Sequence, residues 1–529
     1  MKNIMKIMLL FAVVLGMNSC TEEKILDLNP INNISDKDAF TTPTLIASYM
    51  TGVYNAAAVG QYNAIPTSPN GGRGYVWGAA FVEQGEARGE DVVNMATFYE
   101  LTYKATYDPT TANNVYYWVD GYRLINRCNL MIEGVTDAVA KGIIAKTVGD
   151  DYIGQAKFLR AITHLELLTY FARPYNFTAG ATHPGIPYRE VGINTAGEIT
   201  SEVSKPRNTV AECYAKILAD LNDAETLITT GNGTAISGRV VGRASKWAAI
   251  AFKTRLYLQK RDWANVIAEG NKLKGAFALT ADPYAPFVGT TAIAPPNTES
   301  IFSIQHSATA NPGVNGSLPS ILRNRALVCI SPILWRDPQW LADDKRREEG
   351  KFIYTASGIK YTNKYTDITS QSDAAPVIRY AEVVLNMAEA EARLSNLPAA
   401  LTLLNSVRDR ALANKATQSY TSASFTTNAD MVAAILKERR IEFLQEGRRW
   451  TDIHRLQGDP IAAVATDGIP AKYASGAPPS KDAFVLGNGF VVSTAVAAIP
   501  GSDYRFLWPI PQIELNTNPG LGQNIGWAN

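Results

Sequence analysis

Apolar residues recur every three to four positions through most of the chain, a period that predicts a protein built mainly from helices. The first such segment opens at Thr42-Pro43, where a proline in the first turn suits the start of a helix. Another opens at Thr209, and Glu212 completes a capping box three residues later. We expect the helical scaffold to comprise residues 41–58, 111–172, 208–274 and 377–447.

Long stretches between these helices lack helical periodicity. Residues 60–110 and 275–375 are rich in Gly, Asn and Pro, and we expect them to form the loop-rich binding region. The second stretch contains one predicted short strand, at 301–304. Residues 174–207 and most of the C-terminal segment 456–529 also read as loop. The predicted fold is therefore all-α, with long loop-rich insertions and few, short strands.

Two helix–turn–helix segments, at 248–273 and 388–412, resemble each other. Each carries alanines in its first helix and again after the turn, and small residues at fixed places let two helices approach closely. We interpret them as degenerate tetratricopeptide pairs. Because long insertions separate them, we expect a helical scaffold that carries loops rather than a regular solenoid.

The N-terminus has the features of an export signal. Two lysines precede an apolar run at 7–17, and small polar residues lead to Cys20. That run is too short to cross a bilayer, which takes roughly 20 residues. The segment before Cys20 resembles a bacterial lipobox, which implies lipid attachment at Cys20. We therefore predict a signal peptide at 1–19, a lipidated Cys20, an extended tether at 20–40 and a single body over 20–529. The alternative is an ordinary signal cleavage near Ser19.

The charge balance argues against a nucleic-acid partner, and the few His and Cys residues argue against metal and disulfide sites. With 50 Lys and Arg against 49 Asp and Glu, the chain has no electrostatic footprint for nucleic acid. Its four histidines and four cysteines are dispersed, which disfavours a metal enzyme or a disulfide scaffold. Cys128 and Cys213 fall in helical patterns and are expected as buried free thiols. No cofactor and no metal site is predicted.

Standard catalytic motifs are missing: the sequence has no H-E-x-x-H, nucleophile elbow, P-loop or dinucleotide fingerprint. Glu442 and Glu446, four residues apart on one predicted helix face, could form a glycosidase acid–base pair. The alternative is a structural ion-pair network with neighbouring arginines, which hold carboxylates ionised. We favour the network, anchored by Trp450, with these arginine partners: Arg439, Arg440 and Arg449. No catalytic residue is therefore predicted.

A second group of carboxylates lies in the first loop region, at Glu83, Glu86, Glu90 and Asp91. These side chains could bind a cation such as Ca²⁺, but their spacing fits no EF-hand. We expect solvated or ion-paired loop charges.

Four segments, in this order after the lipoprotein signal, resemble a known family: KWAAIAFKTRLYL at 246–258, IRYAEVVLNMAEA at 378–390, ERRIEFLQEGRRWTD at 438–452 and PIPQIELN at 509–516. As a set they are similar to the SusD/RagB family, the surface glycan-binding lipoproteins of Bacteroidetes. The resemblance implies a helical fold with tetratricopeptide pairs. It also implies a partner, a SusC-like TonB-dependent transporter that the lipoprotein covers as a lid.

Aromatic residues in loops are the informative class for a sugar-binding protein, because flat rings stack on the C–H faces of sugars. The first loop region carries Tyr75, Trp77 and Tyr99, and the second carries Trp335 and Trp340. We predict that all five rings are candidate glycan contacts, and that Trp77 and Tyr99 meet Trp335 or Trp340 over one shallow, exposed surface. The alternative is that they pack the loops onto the scaffold, as expected of three helix-borne rings: Trp118, Trp247 and Trp263.

These observations favour a non-catalytic glycan-binding lipoprotein on the outer membrane, which passes oligosaccharide to a SusC-like transporter. Two alternatives stay open. One is a lid for a transporter of another nutrient, such as peptide. The other is an all-helical glycoside hydrolase, which needs two carboxylates facing each other roughly 5–10 Å apart.

Overall fold

The computed structural model describes residues 38–61, 77–229, 240–288, 297–518 and 520–528. Most of its regular structure is helical, in agreement with the periodicity of the sequence. The α-helices are α1 (Pro43–Ala58), α2 (Ala79–Ala87), α3 (Thr97–Lys104), α4 (Ala112–Ala140), α5 (Lys146–Phe171), α6 (Ala196–Glu202), α7 (Val210–Leu227), α8 (Lys246–Lys260), α9 (Trp263–Asn271), α10 (Pro332–Trp335), α11 (Tyr380–Arg393), α12 (Leu397–Arg408), α13 (Lys415–Gln418), α14 (Asn428–Glu442), α15 (Arg449–Arg455) and α16 (Gln512–Thr517).

The strands are few and short, as predicted. They are β1 (Val92–Asn94), β2 (Ser300–Ile304), β3 (Val328–Ile330), β4 (Ile353–Ala356), β5 (Ile359–Thr362) and β6 (Ala375–Arg379). They form three separate antiparallel pairs, β1 with β3, β2 with β6 and β4 with β5. Val93 lies opposite Cys329 in the first pair, and Tyr354 lies opposite Tyr361 in the third. The predicted strand at 301–304 is confirmed as part of β2.

Two helix starts follow the capping residues read from the sequence. The Thr42 hydroxyl accepts a hydrogen bond from the Leu45 amide at 3.3 Å. At α7 the Thr209 hydroxyl accepts from the Glu212 amide at 3.2 Å, and the Glu212 carboxylate accepts from the Thr209 amide at 2.8 Å. Each cap satisfies amides that the first turn leaves without a helical partner.

The two predicted helix pairs are α8 with α9 and α11 with α12, and each pair packs together. The pairs also contact each other, because α9 and α8 both lie against α11. Gly270 marks a close approach of α9 to α11: a Cβ atom there would lie 2.3 Å from the Met387 sulfur. The small cluster of Leu258, Val266 and Ala390 fills the same junction. The tetratricopeptide-like arrangement is therefore confirmed.

The regions predicted as loop contain more regular structure than expected. Helices α2 and α3 and strand β1 lie within 60–110, and strands β2 to β5 lie within 275–375, with β6 beginning at its last residue. One connected core of buried apolar residues runs from Ile46 to Leu521 and includes side chains from both regions. These segments are therefore part of the packed body rather than extensions from it.

The described residues contain no helix that is both long enough and apolar enough to span a bilayer. Three cysteines, Cys128, Cys213 and Cys329, are buried free thiols in the structure. For Cys128 and Cys213 this confirms the expectation from their helical patterns.

Candidate binding site

The carboxylates at the end of α14 form a buried ion-pair network. One Glu442 oxygen bonds Arg379 at 2.7 Å and also bonds Arg410, and the other bonds Arg346 at 3.0 Å. Glu446 bonds Lys364 at 2.7 Å and Arg379 at 2.9 Å. All of these side chains are at most 5% exposed. The expected structural network is confirmed.

The partners differ from those that sequence proximity suggests. Arg439 bonds Asp452 at 3.0 Å, while Arg440 and Arg449 bond Asp91 and Glu90. The prediction that these three arginines hold Glu442 and Glu446 is therefore wrong. Helical spacing places side chains on one face, but the tertiary fold brings cations from β6 and from the segments before and after it.

This network does not suit general-acid catalysis. Burial alone would raise the pKa of Glu442, but the charges of Arg410, Arg379 and Arg346 outweigh it and hold that pKa well below its ordinary value. A glycosidase acid needs the opposite shift, so that it carries a proton at neutral pH. Glu442 and Glu446 are also buried, so no sugar reaches them in this structure.

The second acidic group divides into two parts. Glu90 and Asp91 are paired with Arg440 and Arg449, as expected. Glu83 and Glu86 lie inside α2 and are buried, so the prediction that they are loop charges is wrong. Burial and the charge of Asp91 raise the pKa of Glu86 to about 8. Among the residues that the structure describes, no three His, Cys, Asp or Glu side chains lie close enough together to hold a metal ion.

The predicted sugar-stacking rings lie in the interior. Trp77 is 0% exposed and donates from its indole nitrogen to the Thr163 hydroxyl at 3.1 Å. Tyr99 is also buried. Trp335 is 5% exposed, and its indole donates to the Phe484 carbonyl at 3.0 Å. Trp340 packs edge-on against Trp335, with ring centres 5.4 Å apart.

Arg347 completes the packing of these two tryptophans. Its guanidinium carbon lies 4.3 Å from the Trp335 ring centre and 4.2 Å from that of Trp340. A stacked sugar needs one ring face open to solvent. The prediction that Trp77, Tyr99, Trp335 and Trp340 form one exposed surface is therefore wrong. Each of these four rings packs against the scaffold instead of facing solvent. Tyr75 lies outside the described residues, and its contact with a glycan stays a prediction.

The three tryptophans that lie on helices differ in their burial. Trp118 is buried, as predicted. Trp247 and Trp263 are only partly buried and pack against the apolar core from its edge, so the prediction that they are core residues holds only in part.

Only two aromatic residues in the described part of the chain are exposed, and both line the same cavity. Phe177 is 56% exposed and Tyr504 is 42% exposed. Their cavity encloses about 390 Å³. Its walls come from residues 173–184, from Arg207 and from the C-terminal residues 501–507 and 523–525. We refer to it as the Phe177–Tyr504 cavity.

Both exposed rings are supported from behind. Phe177 stands edge-on to the His183 ring at 5.3 Å, and the Arg173 guanidinium lies 5.3 Å from its centre. The Tyr504 ring stands edge-on to Trp527 at 4.7 Å. Because each ring is held by neighbours, it loses little freedom when a ligand covers its open face.

His183 fixes one wall of the cavity. One ring nitrogen is bonded to the Thr178 hydroxyl at 2.8 Å and the other to the Arg173 carbonyl at 3.1 Å. Burial lowers the pKa of His183, so the ring is neutral at neutral pH. Its role here is to position the chain around Phe177.

A second cleft, of about 270 Å³, lies beside Tyr54 and includes Gln305. The Tyr54 hydroxyl is bonded to Gln155 and to the Ala244 amide, both at 2.8 Å. The Arg243 guanidinium lies 4.3 Å above the Tyr54 ring and covers that face. Tyr54 is partly buried, so this cleft presents less exposed aromatic surface than the Phe177–Tyr504 cavity.

Two family models match the chain on either side of its middle. One, described as starch-binding and associating with the outer membrane, matches residues 24–258. The other, described as the SusD family, matches residues 341–527. The chain belongs to the SusD/RagB family. This family is associated with the outer membrane, and the helical fold with few strands agrees with the membership.

Known SusD-like proteins align along most of the chain. SusD-like protein P38 of Formosa agariphila is 24% identical over 89% of this chain and 96% of its own length. A SusD superfamily protein from Bacteroides fragilis has a TM-score of 0.73 and 26% identity, covering 92% of this chain and all of that one. A SusD-like carbohydrate binding protein from Bacteroides vulgatus has a TM-score of 0.70 at 18% identity, covering 91% of this chain and 97% of that one.

Proposed function

We propose that this protein is a non-catalytic, lipid-anchored glycan-binding protein of the outer membrane, which captures oligosaccharide and passes it to a SusC-like TonB-dependent transporter. The observation that carries the binding role is the pairing of exposed rings: Phe177 and Tyr504 lie in short 3-10 turns, are exposed and line one cavity. Family membership supports the outer-membrane location, and the buried, fully paired state of Glu442 and Glu446 supports binding without hydrolysis.

The cavity suits a short stretch of glycan. Its volume of about 390 Å³ falls within the range of small-molecule sites, roughly 300–1,000 Å³. Aromatic rings supply area for the apolar faces of a sugar, and the guanidiniums on the cavity wall supply hydrogen-bond donors for its oxygens. Nothing in this arrangement requires a metal or a cofactor.

Replacing either exposed ring is expected to weaken glycan binding. Phe177→Ala and Tyr504→Ala should each cost about 1–3 kcal/mol of affinity, as expected when a stacking aromatic is truncated. Because both side chains are exposed, the free energy of unfolding should change by less than about 1 kcal/mol. Calorimetric titration with the best glycan from a polysaccharide panel measures the first effect, and urea unfolding measures the second.

The matched control is Ile513→Ala, which truncates another largely exposed apolar side chain (59%) outside the cavity. It should keep parental affinity. If the two ring variants also keep parental affinity while the parent binds glycan, the binding site is elsewhere on the protein.

Lipid attachment is tested at Cys20, which lies outside the described residues. Cys20→Ala should shift the protein from the outer-membrane fraction to a soluble or unprocessed form, because acylation needs that thiol. Cys213→Ala is the control, since it removes a buried thiol of the body. Labelled palmitate should mark the parent and the control only. A Cys20→Ala protein that stays in the membrane fraction and takes up label would contradict the anchor.

A further inference from the structure

Two arginines on the wall of the Phe177–Tyr504 cavity carry charge that the fold does not neutralise. Arg207 donates through Nε to the Gly185 carbonyl at 2.6 Å and through Nη2 to the Phe171 carbonyl at 3.3 Å. Arg173 donates to the Gly501 carbonyl and, at 3.4 Å, to the Asp503 carbonyl. Carbonyl oxygens satisfy the N–H groups but leave the net positive charge in place.

No carboxylate of a described residue lies within 4.0 Å of either guanidinium. Asp503 acts on Arg173 from a greater distance, and its own carboxylate is bonded to Arg505 at 2.6 Å. In the buried ion-pair network, by contrast, Arg346, Arg379 and Arg410 each sit against a carboxylate. Arg173 and Arg207 are partly buried, and no ion pair with a described residue neutralises their charge.

Burial without an anion is unfavourable for both groups. It lowers the pKa of Arg207 to about 10 and also lowers the pKa of Arg173. An anionic group that enters the cavity would offset this penalty and form charge-assisted hydrogen bonds. Arg207 has a donor available for it, because none of its hydrogen bonds to described residues uses Nη1.

We infer that the Phe177–Tyr504 cavity selects an acidic sugar, whose carboxylate or sulfate ester is bound by Arg207 and Arg173 while its ring stacks on Phe177 or Tyr504. This inference rests on the proposed glycan-binding function and specifies the class of glycan. Guanidinium groups bind carboxylates and sulfates alike, so the same cavity accepts either group.

The test compares acidic oligosaccharides with matched neutral ones on the intact protein. Oligomers of galacturonate, glucuronate and mannuronate are titrated beside their carboxyl-reduced forms, and sulfated oligosaccharides beside their desulfated forms. The parent should bind at least one acidic probe about tenfold or more tightly than its neutral match, as expected for one charge-assisted hydrogen bond. The carboxylate and sulfate arms show which anion the cavity prefers.

Variants of cavity residues then show whether the preference for acidic glycan arises in this cavity. Arg207→Gln should reduce the preference to near parity, whereas Arg207→Lys should retain part of it because the charge remains. Lys274→Gln lowers the net charge equally at a surface site outside the cavity and should leave the preference unchanged. If Arg207→Gln does not fold, the inference is decided by the parent and Arg207→Lys: the parent should bind an acidic probe more tightly than its neutral match, and Arg207→Lys should show a smaller difference.

Equal binding of every acidic probe and its neutral match would overturn the inference while leaving glycan binding intact. A preference that survives unchanged in folded Arg207→Gln would also overturn it, since the anion would then be bound elsewhere. Failure of the parent to bind any glycan, acidic or neutral, would instead refute the proposed function and the inference with it.

Discussion

Glu442→Ala is expected to lower the free energy of unfolding by about 3–5 kcal/mol, the usual range when one partner of a buried ion pair is removed. Its carboxylate touches Arg346, Arg379 and Arg410, and all four side chains are at most 5% exposed. Alanine would leave these guanidiniums close together without the anion between them. Urea unfolding of parent and variant at neutral pH measures the loss.

The control is Asp137→Ala, which removes one partner of the surface pair between Lys141 and Asp137. Both side chains are more than half exposed there, so solvent screens the pair and the expected loss is below about 1 kcal/mol. Equal, small losses in the two variants would show that the buried network contributes no more than a surface pair.

The same network gives stability a defined pH dependence. The pKa of Glu442 is depressed in the folded state by Arg410, Arg379 and Arg346, against the effect of burial. Glu442 therefore contributes fully to the free energy of unfolding at pH values above its pKa in the unfolded chain, about 4.3. That contribution is lost as the pH falls from there towards the lower pKa of the folded state. The difference between parent and Glu442→Ala should accordingly be largest near neutral pH and shrink on acidification.

Trp450→Ala is the second substitution with a large expected effect, a loss of about 3–5 kcal/mol in the free energy of unfolding. The Trp450 ring is fully buried, and its indole donates to the Thr169 carbonyl at 3.0 Å. The Arg88 guanidinium lies 3.8 Å from the ring centre and the Phe506 ring lies 5.1 Å away. Truncation would open a cavity where α5, α15 and the C-terminal segment meet.

Trp263→Ala is the matched comparison, because that ring is only partly buried on α9. Its loss should be clearly smaller than that of Trp450→Ala. A urea midpoint for Trp450→Ala equal to that of the parent would mean that the ring does not join these elements.

The sequence predicts the helices well where they are amphipathic and capped. Helix α1 begins where Thr42 and Pro43 indicate, and α7 begins with the capping box at Thr209. Helix α2 was missed for a physical reason: Phe81, Glu83, Gln84 and Glu86 are all buried, so no polar face alternates with an apolar one. Its carboxylates therefore resembled loop charges.

The candidate site was harder to predict than the fold. Trp335 and Phe177 both lie in segments rich in loop-forming residues, yet one is buried and the other is exposed. The difference arises from distant partners: the Trp335 indole reaches the Phe484 carbonyl, 149 residues away along the chain. Local composition carries no information about such contacts. The reasoning that selected loop aromatics applies equally to Phe177 and Tyr504, but only packing shows which rings remain open.

The most direct test of the proposed function is binding of the purified protein to a panel of plant, host and microbial polysaccharides and to a matched set of peptides, with the products analysed after incubation. The account predicts that at least one glycan binds, that its chain length is unchanged afterwards, and that no peptide competes for it. Binding of peptide alone would favour a lid for another nutrient. Shortened glycan chains would contradict a non-catalytic role.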